Sequence, residues 1–162
     1  MKASGMDGEG QRDWSGQVEA ACLRKNLQMT PLRRTVLAIV GENPAPLGAY
    51  QIIEALSRRE GKAIAPPTVY RTLDFFLEHG FLHRIESRNA YARCEHIDHA
   101  HQCVLLLCEE CGRSAEIEDA ALARALQATA DRAGFVASRP MVEIAGLCRD
   151  CAESGKSESR DL

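Results

Sequence analysis

Apolar residues recur along the first eighty positions at intervals of three and four, and this spacing predicts a run of short helices. Val18, Ala21, Cys22 and the later Leu27 predict a first helix ending near Asn26. A second begins at Thr30-Pro31, where Thr can cap and Pro suits the first helical position, and carries Leu32, Val36, Leu37, Ile39 and Val40 before stopping at Gly41. A third runs from Ala49 to about Arg59, with Ile52, Ile53 and Leu56 on one face. Pro66-Pro67-Thr68 opens a fourth, with Val69, Leu73, Phe76 and Leu77 turned inward and Gly80 placed as its C-terminal cap.

The pattern then shortens to alternation. Phe81 to Glu86 and Tyr91 to Cys94 predict two strands joined by a turn over 87–90. Helices joined by short turns and followed by a hairpin describe a winged helix-turn-helix over 16–94. Beyond a linker at 95–101, residues 104–107 and 114–117 predict strands, Ala120 to Ala133 a helix closed by Gly134, and Met141 to Ile144 a last strand, a small α/β unit over 102–152. The ends, 1–15 and 153–162, are polar and predict disordered tails. The expected class is α+β.

Charge adds a little to this picture. The net charge is −3, but residues 1–88 carry 12 Lys and Arg against 10 Asp and Glu, whereas 89–162 carry 8 against 13. Only the first half can offer DNA a basic face. The N-terminus has no apolar export signal, and runs such as 104–107 are too short to cross a bilayer, so a cytoplasmic protein is expected, without a membrane partner.

Seven cysteines in such a chain direct attention to metal. Cys108, Cys111, Cys148 and Cys151 form two C-x-x-C pairs separated by 36 residues. Four thiolates from two such knuckles make the closed tetrahedral set of structural zinc; a redox pair or unrelated buried thiols are the alternatives. A second set is His83, Cys94, His101 and Glu116. With the hairpin turning over 87–90, Glu86 pairs with Tyr91 and His83 lies opposite Cys94, with cross-strand side chains about 5 Å apart. His101 would come from the linker and Glu116 from the second unit, giving a site that bridges the two. Each also has a plainer reading: a polar wing residue, a small core residue, a linker surface residue and a solvated charge. Cys22 reads as core, and Cys103 as buried or as a reserve ligand for that second set.

Pro66-Pro67-Thr68-Val69-Tyr70-Arg71-Thr72-Leu73, with Thr30-Pro31-Leu32-Arg33 before it and the paired C-x-x-C after it, closely resembles the ferric uptake regulator family. The match extends from about Val18 to Cys151, and Cys94 resembles the zinc-uptake branch in particular. The resemblance implies a homodimer: an N-terminal domain reads double-stranded operator DNA, and a C-terminal domain dimerises around a structural zinc. It implies a regulatory zinc on His83, Cys94, His101 and Glu116, hence two ions per subunit, and repression of zinc-uptake genes. It places base contacts on Tyr70 and Arg71 beside Thr68, at the start of the fourth helix, where a recognition helix meets the major groove. Arg33, Arg34 and Tyr50 are candidate phosphate contacts.

An iron or peroxide regulator of the same family remains an alternative, separated chiefly by Cys94. A zinc scaffold or buffer would leave Tyr70 and Arg71 without a role. An enzyme is not expected, since neither H-E-x-x-H nor the deaminase H-x-E with P-C-x-x-C occurs.

Overall fold

A computed structural model describes residues 14–97, 103–137 and 141–158. The chain divides into two compact units between Ala100 and His101.

The first unit is built from α1 (Trp14–Arg24), α2 (Pro31–Gly41), β1 (Leu47–Gly48), α3 (Ala49–Glu60), α4 (Pro66–Glu78), β2 (Leu82–Ile85) and β3 (Ala90–Arg93). Thr30 caps α2, its hydroxyl accepting from the Arg33 amide at 3.3 Å, and Pro31 follows at the first helical position. α4 has no side-chain cap and begins on two prolines, whose fixed φ replaces the missing cap in setting the first turn. What holds α4 is its stripe of Val69, Leu73 and Phe76, all fully buried. At roughly 1.5–3 kcal/mol each, that burial outweighs any propensity difference along the helix.

α4 ends in a Schellman turn: the Gly80 amide donates to the Leu77 carbonyl, and Phe81 to that of Phe76 at 2.8 Å. Gly80 takes φ +73, a conformation glycine adopts without a Cβ penalty. The accompanying apolar contact is the edge-on Phe76–Phe81 pair, with centroids 6.4 Å apart. This turn sends the chain directly from α4 into β2.

The sheet order is β1-β3-β2, all antiparallel. The two-residue β1, which periodicity cannot reveal, makes β3 the central strand. The hairpin register differs from the sequence expectation. Glu86–Arg88 form a 3-10 turn and Asn89 takes the left-handed region at φ 45, so the chain reverses over 86–89 and Ile85, fully buried, pairs with Ala90. His83 therefore faces Ala92, and Cys94, whose amide donates to the Phe81 carbonyl at 3.0 Å, lies opposite Phe81.

Trp14 and Ser15 of the predicted N-terminal tail and residues 153–158 of the predicted C-terminal tail are helical, while 1–13 and 159–162 lie outside the described residues. α1 starts at Trp14, whose indole is 2% exposed and donates from Nε1 to the Cys94 carbonyl at 2.8 Å. A large apolar ring with a satisfied N–H outweighs the polar composition around it.

The second unit comprises β4 (Cys103–Cys108), β5 (Ser114–Glu118), α5 (Ala120–Arg132), β6 (Val142–Gly146) and α6 (Arg149–Glu158). α6 occupies 153–158, predicted as tail; it begins next to Cys148, whose carbonyl accepts from the Ala152 amide at 2.9 Å. β4 is central, antiparallel to β5 and parallel to β6. Asp119 caps α5, accepting from the amides of Ala121 and Leu122. No residue of α5 or β6 is buried, whereas β4 is buried at five of its six positions. The linker residues 98–101, His101 among them, lie outside the described residues.

Candidate metal centres and nucleic-acid interface

The two C-x-x-C pairs are assembled by β4 and β6 running in parallel. β4 ends at Cys108, which is in register with Gly146, two residues before Cys148, and the Glu109 amide donates to the Gly146 carbonyl at 2.8 Å. Each pair thus leaves the same end of the sheet. The four sulfurs of Cys108, Cys111, Cys148 and Cys151 all lie within 4.8 Å of one another, and none of the seven cysteines is in a disulfide. Tetrahedral zinc with Zn–S bonds of about 2.3 Å requires sulfurs roughly 3.8 Å apart. The Cys111–Cys148 separation is 3.9 Å, so the donor set fits that ion.

The surroundings of these thiols favour the charged form of some of them. The Cys148 amide, 3.4 Å from the Cys108 sulfur, is the main cause holding the Cys108 thiol down at about 6. Arg113 lowers the Cys111 thiol, its Nε 3.3 Å from that sulfur, while its Nη2 lies 3.8 Å from the Cys148 sulfur and 2.7 Å from Asp150. Contact with Cys111, and then Asp150, pushes the Arg113 pKa up in turn. Cys151 is pushed up to about 12, first by its hydrogen bond with Cys148. A guanidinium braced by a carboxylate therefore orients the cluster from outside it, the arrangement that outer partners of metal ligands commonly provide. Sequence reasoning missed Arg113 and Asp150, although their places two residues from Cys111 and next to Cys151 were a usable signal.

The residues of the second predicted set divide between the units. His83 lies on β2, half-buried, and Cys94 follows β3, fully buried. Strand alternation puts both on one sheet face, diagonal to each other rather than opposite, a relation that typically separates Cα atoms by about 7–8 Å. In the second unit Glu116, 2% exposed, lies on β5 opposite Leu105. Cys103 begins β4, and burial first, then the Glu116 charge, pushes its thiol up to about 12. Trp14, bonded to the Cys94 carbonyl, is a third residue that sequence reasoning missed, having been assigned to a tail.

α4 turns Thr68, Tyr70 and Arg71 outward while Val69, Thr72 and Leu73 face the core, and Tyr70 is 38% exposed. Tyr50, 78% exposed, stands at the start of α3. Arg33 is placed differently: its guanidinium lies 3.5 Å from the centroid of Phe75 and donates to the Gln28 carbonyl. Arg34 is exposed and pairs with Glu19 at 3.4 Å. His79 caps α4 and packs edge-on against Phe75. Cys22 is core.

An outward Tyr-Arg pair at the start of the helix before a wing, followed by a four-thiol cluster, is the arrangement against which known proteins can be compared. The ferric uptake regulator family model matches residues 24–145. The chain belongs to that family. It is 35% identical over 138 residues to the zinc uptake regulation protein of Escherichia coli strain K12, covering 85% of this chain and 80% of that protein. A solved zinc uptake regulator in complex with zinc and DNA superposes with a TM-score of 0.84 at 33% identity, over 90% of this chain and 97% of the other. The holo form of a protein named XcZur superposes with a TM-score of 0.79 at 37% identity, over 87% and 98%.

Proposed function

We propose that the chain is a zinc-responsive transcriptional repressor that binds operator DNA as a zinc-loaded homodimer and represses zinc-uptake genes. The observation that carries this reading is the likeness, over almost the whole chain, to a zinc uptake regulator with zinc and DNA bound. The reading rests on two ions per subunit. Cys108, Cys111, Cys148 and Cys151 hold the structural one, with Arg113 as their outer brace. His83, Cys94, His101 and Glu116 hold the regulatory one. Four thiolates leave no coordination position for a substrate, in keeping with a family of DNA-binding regulators rather than enzymes.

Thr68, Tyr70 and Arg71 meet the major groove from the first turns of α4. The Arg71 guanidinium can take guanine bidentately, and Tyr70 can add a base or methyl contact. Tyr50 supports a phosphate contact from α3; Arg33 must leave the Phe75 ring to supply another. Regulatory zinc would supply a multi-ligand anchor for His83, Cys94, His101 and Glu116. In this reading, zinc favours the DNA-competent state of the protein by binding it more tightly than the alternative.

Dimerisation is supported by the second unit's shortage of core: α5 and β6 bury nothing, and Phe135, Val136, Ile144 and Leu147 are all at least half exposed. A unit this small gains a core when a second copy covers those residues. No helix among the described residues is long and apolar enough to cross a membrane, and a cytoplasmic location belongs to this reading as the compartment where operator DNA is met.

The test is operator affinity against buffered free zinc and ferrous iron, for the wild type and Cys94→Ser, with bound metal counted. Zinc-dependent binding that is lost in Cys94→Ser, with one zinc retained, is the expected result. Iron-dependent binding indifferent to Cys94 would make the chain an iron regulator instead.

A further inference from the structure

Arg33 and Arg34 are neighbours at the start of α2, but their side chains are placed differently. Arg34 is exposed and pairs with Glu19. Arg33 is half-buried: its guanidinium lies 3.5 Å from the centroid of the Phe75 ring and donates to the Gln28 carbonyl, while its amide is held by the Thr30 cap. At that separation the guanidinium lies over the face of the ring, where charge and stacking both attract. Phe75 also meets Phe76 and His79 edge-on, with centroids 5.4 Å and 4.6 Å away. Those two rings belong to α4 and its cap, so they stiffen the helix; Arg33 ties it to another element.

Phe75 follows Arg71 by four residues, one turn further along the same face of α4. A rotation of α4 that carries Phe75 off the guanidinium is therefore also the rotation that swings Tyr70 and Arg71. With a radius of about 5–6 Å including side chains, a helix turned by about 10° moves its outer groups by about 1 Å. The hydrogen-bond window for reading a base is only about 0.5 Å wide. Val69, Leu73 and Phe76 hold α4 from within, but apolar attraction has no preferred direction. A flat guanidinium on a flat ring has one, and leaving the ring for a phosphate would forfeit both the stack and the Gln28 carbonyl.

We propose that Arg33 is a positioning residue for operator recognition: stacked on Phe75 and anchored to the Gln28 carbonyl, it fixes the rotation of α4 that presents Tyr70 and Arg71 to the bases, and it stays on the ring when DNA is bound. The inference rests on the reading of α4 as the recognition helix and gives Arg33 a part in specificity in place of a phosphate contact.

The test uses the full-length, zinc-loaded protein and two duplexes of equal length: one that the wild type enriches from a random-sequence pool, and one unrelated. Affinity is read by fluorescence anisotropy across a salt series. Arg33→Met and Phe75→Leu are each expected to weaken binding to the enriched duplex about tenfold, with the unrelated duplex and the salt slope as in the wild type. The double variant is expected to be little weaker than either single one, since both remove the same contact. Arg33→Gln repeats the measurement where Arg33→Met alters zinc content or the emission of the one tryptophan, Trp14. Loss on both duplexes, with a slope shallower by about one per subunit, makes Arg33 a phosphate contact. That result, losses that add in the double variant, or no loss at all overturns the inference and leaves α4 as the recognition helix. A wild type that enriches no duplex overturns both.

Discussion

At the scale of single residues, the candidate chemistry rests on a few polar contacts. Arg113 is such a residue, touching two cysteine sulfurs and Asp150. Arg113→Met keeps the length of the side chain and removes the charge, so Cys111 loses the main group that lowers its pKa. Zinc affinity of the four-cysteine site is expected to fall about tenfold to a hundredfold in a chelator competition; an unchanged affinity would remove Arg113 from the outer shell. Tyr70 and Arg71 form the corresponding pair at the DNA face. Tyr70→Phe and Arg71→Ala should each cost specific operator binding about 1–3 kcal/mol by fluorescence anisotropy, with zinc content and melting unchanged. Equal losses on unrelated DNA would mean that they touch phosphate and do not read bases.

At the scale of elements, the first unit depends on close approaches that its helices could not advertise individually. α1 and α2 meet at Gly41, where an added Cβ would lie 2.9 Å from the Ser15 hydroxyl and 3.2 Å from the Trp14 ring. Gly41→Ala therefore makes the Ser15 hydroxyl rotate away and presses the Trp14 ring by a few tenths of an ångström, straining the Trp14–Cys94 bond. A loss of about 1–3 kcal/mol in urea unfolding is expected, with a red shift of tryptophan emission; a neutral change would mean that Trp14 yields easily. Helix legibility followed from local chemistry. Thr30, Pro31 and Gly80 each impose a conformation on their own backbone, so the limits of α2 and the end of α4 are readable without knowing the neighbours. The wing was less readable, because its register depended on whether Asn89 sat within the turn or at its end. The left-handed Asn89 and the burial of Ile85 decided that, moving His83 from Cys94 to Ala92.

At the scale of the whole molecule, the two units draw their stability from different sources. The first buries a continuous cluster from Trp14 to Ile97, while the second has one largely buried strand, β4, and carries the four-cysteine set. Stripping zinc with a strong chelator is expected to unfold the second unit and release monomers, since structural zinc contributes apparent binding free energies of about 10–16 kcal/mol in small domains. Trp14 is the one tryptophan of the chain and belongs to the first unit, so its emission reports that unit. The expected result is an early loss of far-ultraviolet circular dichroism with an unaltered tryptophan transition. A tryptophan transition that moves with the dichroism would show that the two units unfold as one.

The sequence by itself determined the helix series, the hairpin, the change to an α/β unit after the linker and the pairing of two C-x-x-C motifs, because each is written in short-range spacing or backbone chemistry. The resemblance to the ferric uptake regulator family singled out Tyr70 and Arg71, and helical spacing agreed for Tyr70, since Val69, Leu73 and Phe76 already supply the core stripe. Tertiary structure alone decided what depends on contacts distant in the chain. The indole of Trp14 meets a carbonyl eighty residues away, parallel pairing of β4 with β6 brings Cys108 to Cys148, Arg33 is drawn onto Phe75, and Cys103 comes to share a sheet face with Glu116. Such contacts form only when strands pair and helices pack, and no local period of the sequence encodes which partners will meet.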